Sequence, residues 1–369
     1  MPGKDIDGGC MTSRNILDSI TNQSTVDILL PEGFVGINIE GAHRVLYYPI
    51  DEDTINNYNE ANRFMCRIKI AKAVGSIVTS IHHDYDRIII LHIFHAFEIC
   101  KSNDSVLINK IILFPMLLTP SYIESGEHVP EIYTTHEKRT LCSVKKIITP
   151  SRFEQKQLES YYGINPEKII CIPRFVGSIF KPNLYLPKTD SSIILCYIAS
   201  IKKQKQNHKA VELLKLIVDQ GMDVHLYLIG SIQDYNEYEI TLRTIEENNL
   251  NSYITILHGI TQNMIKELYS NAFINISVAK CETFGRSIVE GLYTGLPAFV
   301  LNSAECFKDL LGENHGVEYF DSIDDMAARI VYIHNHSDCY YEMRSQALAY
   351  SAQFDERVIK PVLQKAIIC

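Results

Sequence analysis

From residue 193 onward, short apolar runs alternate with longer stretches of helical spacing. Ile193–Ile198, Val224–Ile229, Tyr253–Leu257, Ala272–Val278, Ala298–Leu301 and Val317–Phe320 each read as a buried strand. Between most of them, His208–Gln220, Glu237–Asn249 and Asn263–Asn271 carry the helical period. A further helix is expected to start near Gly285, bury Ile288, Val289 and Leu292, and stop at Gly295, with Pro297 just beyond. Regular alternation of this kind predicts a parallel, Rossmann-like sheet. Ligands of such sheets sit beyond the carboxyl ends of the strands.

The first half is patterned less evenly. Gly8-Gly9 leads into a helix over Met11–Ile20, with nothing apolar before it to make a first strand. Strands are expected at Val26–Leu30, Arg44–Tyr48, Arg87–Leu91, Ile111–Phe114, Lys145–Thr149 and Lys168–Ile172. Helices are expected over Asn59–Ile81 and Glu131–Leu141, and after the capping box Ser151-Arg-Phe-Glu154 as far as Gly163. Pro173–Ser192, with three prolines, reads as a linker, and Asp321–Cys369 as mostly helical. A length of 369 residues fits two domains.

Composition narrows the function. Apolar residues make up 46% of the chain, enough for two cores. A net charge of −9 leaves no general basic footprint, so nucleic acid is not an expected partner. Ten cysteines without a Cys-x-x-Cys pair or zinc-like spacing fit free thiols in a reducing cytoplasm. No apolar run reaches the ~18 residues that span a bilayer. The helix over Asn59–Ile81 places Arg63, Arg67, Lys69 and Lys72 around an apolar face of Phe64, Ile68, Ala71 and Val78. That pattern fits either a helix packed on a sheet with a solvated basic face or one lying on an anionic membrane. Asp84-Tyr-Asp86 falls in the turn before a strand, away from the ligand end, and His82-His83 has no third ligand at convincing spacing, so no metal site is expected. Without Gly-x-Gly-x-x-Gly, a dinucleotide cofactor is not expected either.

The chemistry concentrates in Cys281-Glu-Thr-Phe-Gly-Arg-Ser-Ile-Val-Glu290-Gly-Leu-Tyr-Thr-Gly-Leu-Pro297. The backbone N–H groups of Phe284, Gly285 and Arg286, at a helix start, form an anion site. Arg286 adds a cation where the helix dipole disfavours one, a conflict that a bound phosphate removes. Glu282 and Glu290 are carboxylates able to accept hydrogen bonds from vicinal sugar hydroxyls. Together these groups point to a nucleotide sugar. Lys202, Lys203 and Lys205 follow the strand Ile193–Ile198 and can offset diphosphate charge, while His92 and His95 follow Arg87–Leu91 and can meet acceptor hydroxyls or take a proton.

Glu-x7-Glu written as E-T-F-G-R-S-I-V-E, followed by G-L-Y-T-G-L-P, resembles the signature of glycosyltransferase family 4. The passage I-I-T-P-S-R-F-E…Y-Y-G-I-N-P-E-K-I-I-C-I-P-R-F resembles the end of that family's first domain. The resemblance implies a GT-B fold, α/β, with two Rossmann-like domains whose parallel sheets face a central cleft. Its expected parts are an acceptor-side domain over 1–175, a nucleotide-sugar domain over 176–345 and a helical segment, 346–369, crossing back. It implies a retaining, metal-independent glycosyltransferase of the hexosyltransferase type with no cofactor beyond its donor substrate, a UDP-sugar or GDP-sugar.

By the same resemblance Glu282 contacts the donor sugar, Glu290 the ribose hydroxyls and the backbone at Phe284 to Arg286 the diphosphate, with Thr283 also among the donor-binding residues. Lys205 stands at a family lysine position and, with Glu282, is the expected catalytic pair, helped by Lys202. Gly230 and Gly259 bring backbone close to the nucleotide, Ile260 reads the base edge, and Gly9 belongs to an acceptor-side loop. The acceptor implied is a glycan or lipid-linked glycan of bacterial surface polysaccharide, such as O-antigen, capsule or lipopolysaccharide. The enzyme is then cytoplasmic, with peripheral contact at the inner membrane as an option. Three features depart from the family pattern: Ser200 stands where an arginine is usual, Met116, Thr119 and Ser121 stand where many members carry a histidine, and the first strand is either absent or encoded upstream of Met1. Two alternatives stay open, a non-catalytic nucleotide-binding subunit and a nucleotide-sugar epimerase.

Overall fold

The computed structural model describes residues 8–32, 39–59, 61–183 and 192–368. The chain forms two compact units, one of residues 12–173 with 360–368 and the other of 174–359 with 8–11. The second unit thus gives way to the first at residue 360, and not at 346. Packing explains the difference: Ala347, Ser351 and Phe354 are buried in the second unit, and Val176 bridges to Asp355 there.

In the first unit, β1 (Asp27–Pro31) pairs in parallel with β2 (Arg44–Tyr48). A separate sheet runs in the order β3 (Ile88–Leu91), β4 (Ile111–Phe114), β5 (Lys146–Thr149) and β6 (Ile169–Cys171), all parallel. Among the described residues, β1–β2 and β3–β6 thus stand as two separate sheets. Gly9 lies within the helix Gly8–Ile20, not in a loop after a strand. The helix Arg63–Ile81 buries Phe64, Ile68, Ala71, Val74 and Val78 against the sheet, next to Ile90, Leu113 and Ile147.

The second unit carries six parallel strands: β7 (Ile193–Ile198), β8 (Val224–Ile229), β9 (Ile254–Leu257), β10 (Ile274–Ser277), β11 (Ala298–Leu301) and β12 (Val317–Phe320). Their spatial order is β12-β11-β10-β7-β8-β9. The order reverses between β7 and β10, which makes the carboxyl ends of these two strands the topological switch point, where ligands of open α/β sheets bind. β10 and β11 are buried along their whole length, as expected of central parallel strands. The core between sheet and helices includes Leu195, Tyr197, Leu213, Leu226, Ile276 and Phe299, each nearly or fully inaccessible.

Candidate functional site

The loops leaving β7 and β10 meet at the switch point. Lys280 N–H donates to the Gln204 carbonyl over 2.9 Å, which ties one loop to the other. The hydroxyl of buried Tyr197, on β7, donates to the Lys205 carbonyl over 2.5 Å and holds the short helical turn Lys203–Lys205 against the strand. Lys205 Nζ contacts Glu282 Oε1 there as an ion pair, with side chains only 12% and 20% exposed. The pair joins residues 77 positions apart in sequence. Burial pushes the Glu282 carboxyl up, but Lys205, with Lys202 and Arg174, outweighs it and holds the group below the usual range. Glu282 is therefore ionised at neutral pH. Arg174 also lies 5.8 Å over the ring of Phe284, so a second guanidinium flanks the loop.

The helix Arg286–Thr294 starts directly after this loop. Its cap, Gly285, has φ +66°, and a Cβ there would lie 2.0 Å from Phe307 Cε1. Left-handed backbone and the absence of space both require glycine. Among the described residues, the N–H groups of Phe284 and Gly285 meet no hydrogen-bond acceptor, so the helix start presents donors as expected of an anion site. The helix is anchored from below by Asn275 Nδ2 and the Tyr269 hydroxyl, which both donate to the Ser287 carbonyl, over 2.8 and 2.9 Å.

Glu290 sits one turn on. Its side chain is 9% exposed, so it is not a solvated helix residue. Arg286 Nη1 lies 3.9 Å from Glu290 Oε1, an i,i+4 contact that offsets part of the conflict between Arg286 and the helix dipole. Burial nevertheless dominates: it raises the Glu290 carboxyl to about 7, against the opposing pull of Arg286. Burial likewise lowers the Arg286 guanidinium, which Glu290 partly restores. One loop and helix thus hold two carboxyls in different states, Glu282 charged and Glu290 poised near neutrality.

The remaining expected positions surround the same strand ends. Thr283 and Lys202 are half-buried. Gly230, beyond β8, packs so closely on the chain leaving β7 that a Cβ would come within 2.0 Å of the Ala199 carbonyl oxygen. Its own carbonyl accepts a 2.6 Å contact from His258 Nδ1. Gly259 is exposed and Ile260 half-buried beyond β9. Phe307, which packs against Gly285, is a contact that the sequence does not announce.

His92 and His95 belong to the first unit, at the carboxyl end of β3. His92 has φ +66° and Met116, just past β4, φ +63°, so two adjacent strand ends leave the sheet in left-handed conformation. His95 Nδ1 bonds the Leu91 carbonyl at 2.6 Å, and burial lowers its imidazole to about 4. The ring is neutral at physiological pH and a much weaker base than a free histidine. The basic face of the helix Arg63–Ile81 is not uniformly solvated: Arg63 contacts Glu127 with side chains 16% and 7% exposed, and Arg67 is wrapped by aromatic rings. No helix among the described residues is long and apolar enough to cross a membrane.

Residues 185–350 match the model of a family described as glycosyl transferases group 1. A curated GDP-Man:Man(3)GlcNAc(2)-PP-Dol alpha-1,2-mannosyltransferase of Dictyostelium discoideum is 21% identical over 254 residues, which span 66% of this chain and 46% of that protein. The chain therefore aligns with less than half the length of this relative. Sucrose-phosphate synthase from Thermosynechococcus elongatus superposes with a TM-score of 0.78 at 15% identity, over 97% of this chain and 92% of the other. HepE of Anabaena, solved with UDP-glucose, gives 0.76 at 15% identity, over 99% and 97%. At these identities the likeness carries the fold: two Rossmann-like units with parallel sheets, the GT-B class.

Proposed function

We propose that the chain is a glycosyltransferase that moves a sugar from a nucleoside-diphosphate sugar to a glycan or lipid-linked glycan acceptor. The Lys205–Glu282 pair at the β7/β10 switch point carries the reading. A nucleotide-sugar donor, UDP- or GDP-linked, accounts for each group there. The free N–H donors before Arg286 and the Lys205 ammonium meet the diphosphate. Charge develops on that leaving group as the sugar departs, and fixed donors in a desolvated site stabilise it, as an oxyanion hole does. Glu290 accepts from ribose hydroxyls and Glu282 from the donor sugar, with Lys205 exchanging its carboxylate partner for phosphate when donor binds. Gly230, Gly259 and Ile260 place backbone against the nucleotide. The match to the group 1 family and the superposition on a protein solved with UDP-glucose support the donor class.

On this reading the reaction proceeds with retention and with neutralisation supplied by protein groups in place of a metal. The first unit takes the acceptor beyond β3 and β4, near His92 and His95. An acceptor of bacterial surface polysaccharide, carried on a lipid, shares its lipid link alone with the PP-Dol substrate named for the Dictyostelium relative. Such an acceptor would bring the chain to the membrane surface.

Thermal stabilisation of wild type and Glu290→Ala by UDP, GDP, ADP and CMP tests the donor site. A nucleotide at ~100 times its dissociation constant adds roughly 2.7 kcal/mol. One nucleotide that stabilises wild type and not the variant is the expected result; no response to any of them refutes the site. Ser200, where the family resemblance places an arginine, favours one second reading, a nucleotide-binding subunit without turnover. Nucleotide binding without donor hydrolysis or transfer would select it.

A further inference from the structure

Arg67 stands in the first unit with no acidic ion-pair partner among the described residues. Its Nε donates to the Tyr58 hydroxyl at 3.2 Å and its Nη1 to the Tyr122 hydroxyl at 2.8 Å, and Tyr133 stands beside it as a third hydroxyl. The guanidinium carbon lies 5.3 Å from the ring centre of Phe94, 5.6 Å from Tyr122 and 5.8 Å from Phe64. Among the described residues no carboxylate comes within 4.0 Å of it. The acid close by, Glu127, contacts Arg63, which stacks on the same Phe64 and Tyr122 rings. Glu137, deeper still, accepts from Thr119 N–H and the Tyr162 hydroxyl. His95 is neutral. Glu127 pairs with Arg63, so among the described residues Arg67 is left without an ion-pair partner in a half-buried aromatic nest.

Such a charge is costly to bury without a counter-ion. Rings and phenol hydroxyls orient the guanidinium but do not neutralise it. Two hydroxyls take two of its five N–H donors, and three remain. The location matters as much as the charge. Phe94 lies just past the carboxyl end of β3, Tyr122 in the helix Thr119–Glu124 that follows β4, and Arg67 in the first turns of the helix Arg63–Ile81 that leads to β3. All face the ligand end of the parallel sheet.

We infer that Arg67 is an oxyanion-binding residue of the acceptor site, and that the acceptor carries a phosphate-type group which the remaining guanidinium N–H donors hold. The inference rests on the reading of the first unit as the acceptor side. The planar fork suits bidentate phosphate recognition in a way that lysine does not. Tyr58, Tyr122 and Phe94 then act as positioning residues that fix its plane.

The test is titration calorimetry on the full chain with its nucleotide site first saturated, so that added anions report on the first unit. The probes are inorganic phosphate, a hexose 1-phosphate and phosphatidylglycerol vesicles, with the free hexose and phosphatidylcholine vesicles as neutral controls. Wild type binds at least one anionic probe and neither control. Arg67→Gln weakens that binding at least about tenfold, while nucleotide affinity stays within twofold. Response to the soluble phosphates identifies a water-soluble acceptor group, and response to the vesicles alone a lipid-borne one. Equal binding by Arg67→Gln and wild type, or no anion binding by wild type, overturns the inference. If Arg67→Gln loses nucleotide binding as well, and so has not folded, Arg67→Lys replaces it; unchanged phosphate affinity in that variant also overturns it. The donor reading fails separately, if wild type binds no nucleotide at all.

Discussion

Replacing Glu290 by glutamine isolates the effect of one buried charge. The carboxyl is 9% exposed, and its folded-state value of about 7 stands well above the ordinary 4.5. At 1.36 kcal/mol for each tenfold, the gap amounts to about 3 kcal/mol. The sign follows from which form the fold prefers. A raised pKa means that the folded state binds the proton more tightly than the unfolded state does. The native protein therefore carries no penalty below about pH 4.5, gathers it as pH rises, and bears all of it above about pH 7. Glutamine keeps the shape of the protonated carboxyl at every pH. The Arg286 contact is weak in both neutral forms, so its loss is already contained in the comparison.

Wild type and Glu290→Gln should thus match near pH 4.5 and diverge until the variant is more stable by about 3 kcal/mol at pH 8. Urea denaturation followed by circular dichroism from pH 4.5 to 8 measures it, since the chain has no tryptophan. Parallel stability curves across that range refute the reasoning. The same argument links ligand and proton. Ribose hydroxyls that donate to Glu290 favour its ionised form, so nucleotide binding near pH 7 releases protons in wild type and none in Glu290→Gln, read by calorimetry in two buffers of different ionisation enthalpy.

Other outcomes are as definite. Gly285→Ala places a Cβ against Phe307 in left-handed backbone, which should cost at least about 2 kcal/mol of stability; a loss under 0.5 kcal/mol on the same urea assay contradicts the close packing. Lys205→Ala removes the ion-pair partner of half-buried Glu282 and leaves only the weaker pull of Lys202 and Arg174, so its carboxyl rises from below the ordinary range and turnover falls about 10²–10³-fold, checked by donor hydrolysis or transfer. The hydrogen bond to Glu237 raises the His208 imidazole above 6.5. Its contribution to stability is thus fully present below about pH 6.5 and fades as pH rises through the raised value. His208→Gln should flatten that limb of the wild-type pH–stability curve.

Much of this was legible because the parallel strands are short and mostly apolar. Arg44–Tyr48, Ile111–Phe114, Ile193–Ile198, Val224–Ile229, Ala298–Leu301 and Val317–Phe320 are strands within the limits that their patterns predict. The helix after Gly285 was legible too, since αL glycines and a following proline mark its ends. Helices of five or six residues, Phe97–Lys101, Ser105–Asn109 and Cys306–Leu311, were not, because so few positions hold no period. Pairings between distant loops escape any local pattern. Lys205 and Glu282 could each be singled out, but not their contact. Arg67 looked like a solvated or membrane-facing charge, because the rings around it come from three separate segments. The return point at residue 360 depends on which unit buries Phe354, and local spacing does not encode that.

The break between β1–β2 and the sheet that begins with β3 has a consequence for how the molecule breathes. A pair of strands outside a larger ladder holds only the bonds it makes with itself, and is marginal alone. Its residues, Asp27 to Pro31, are only half covered along their length. Amide hydrogens of Ile28 to Leu30 should exchange through a local opening well below the free energy that protects Leu113 or Ile147. The first unit therefore contains two foldons, and the smaller opens while the Arg67 nest and the four-stranded sheet stay closed.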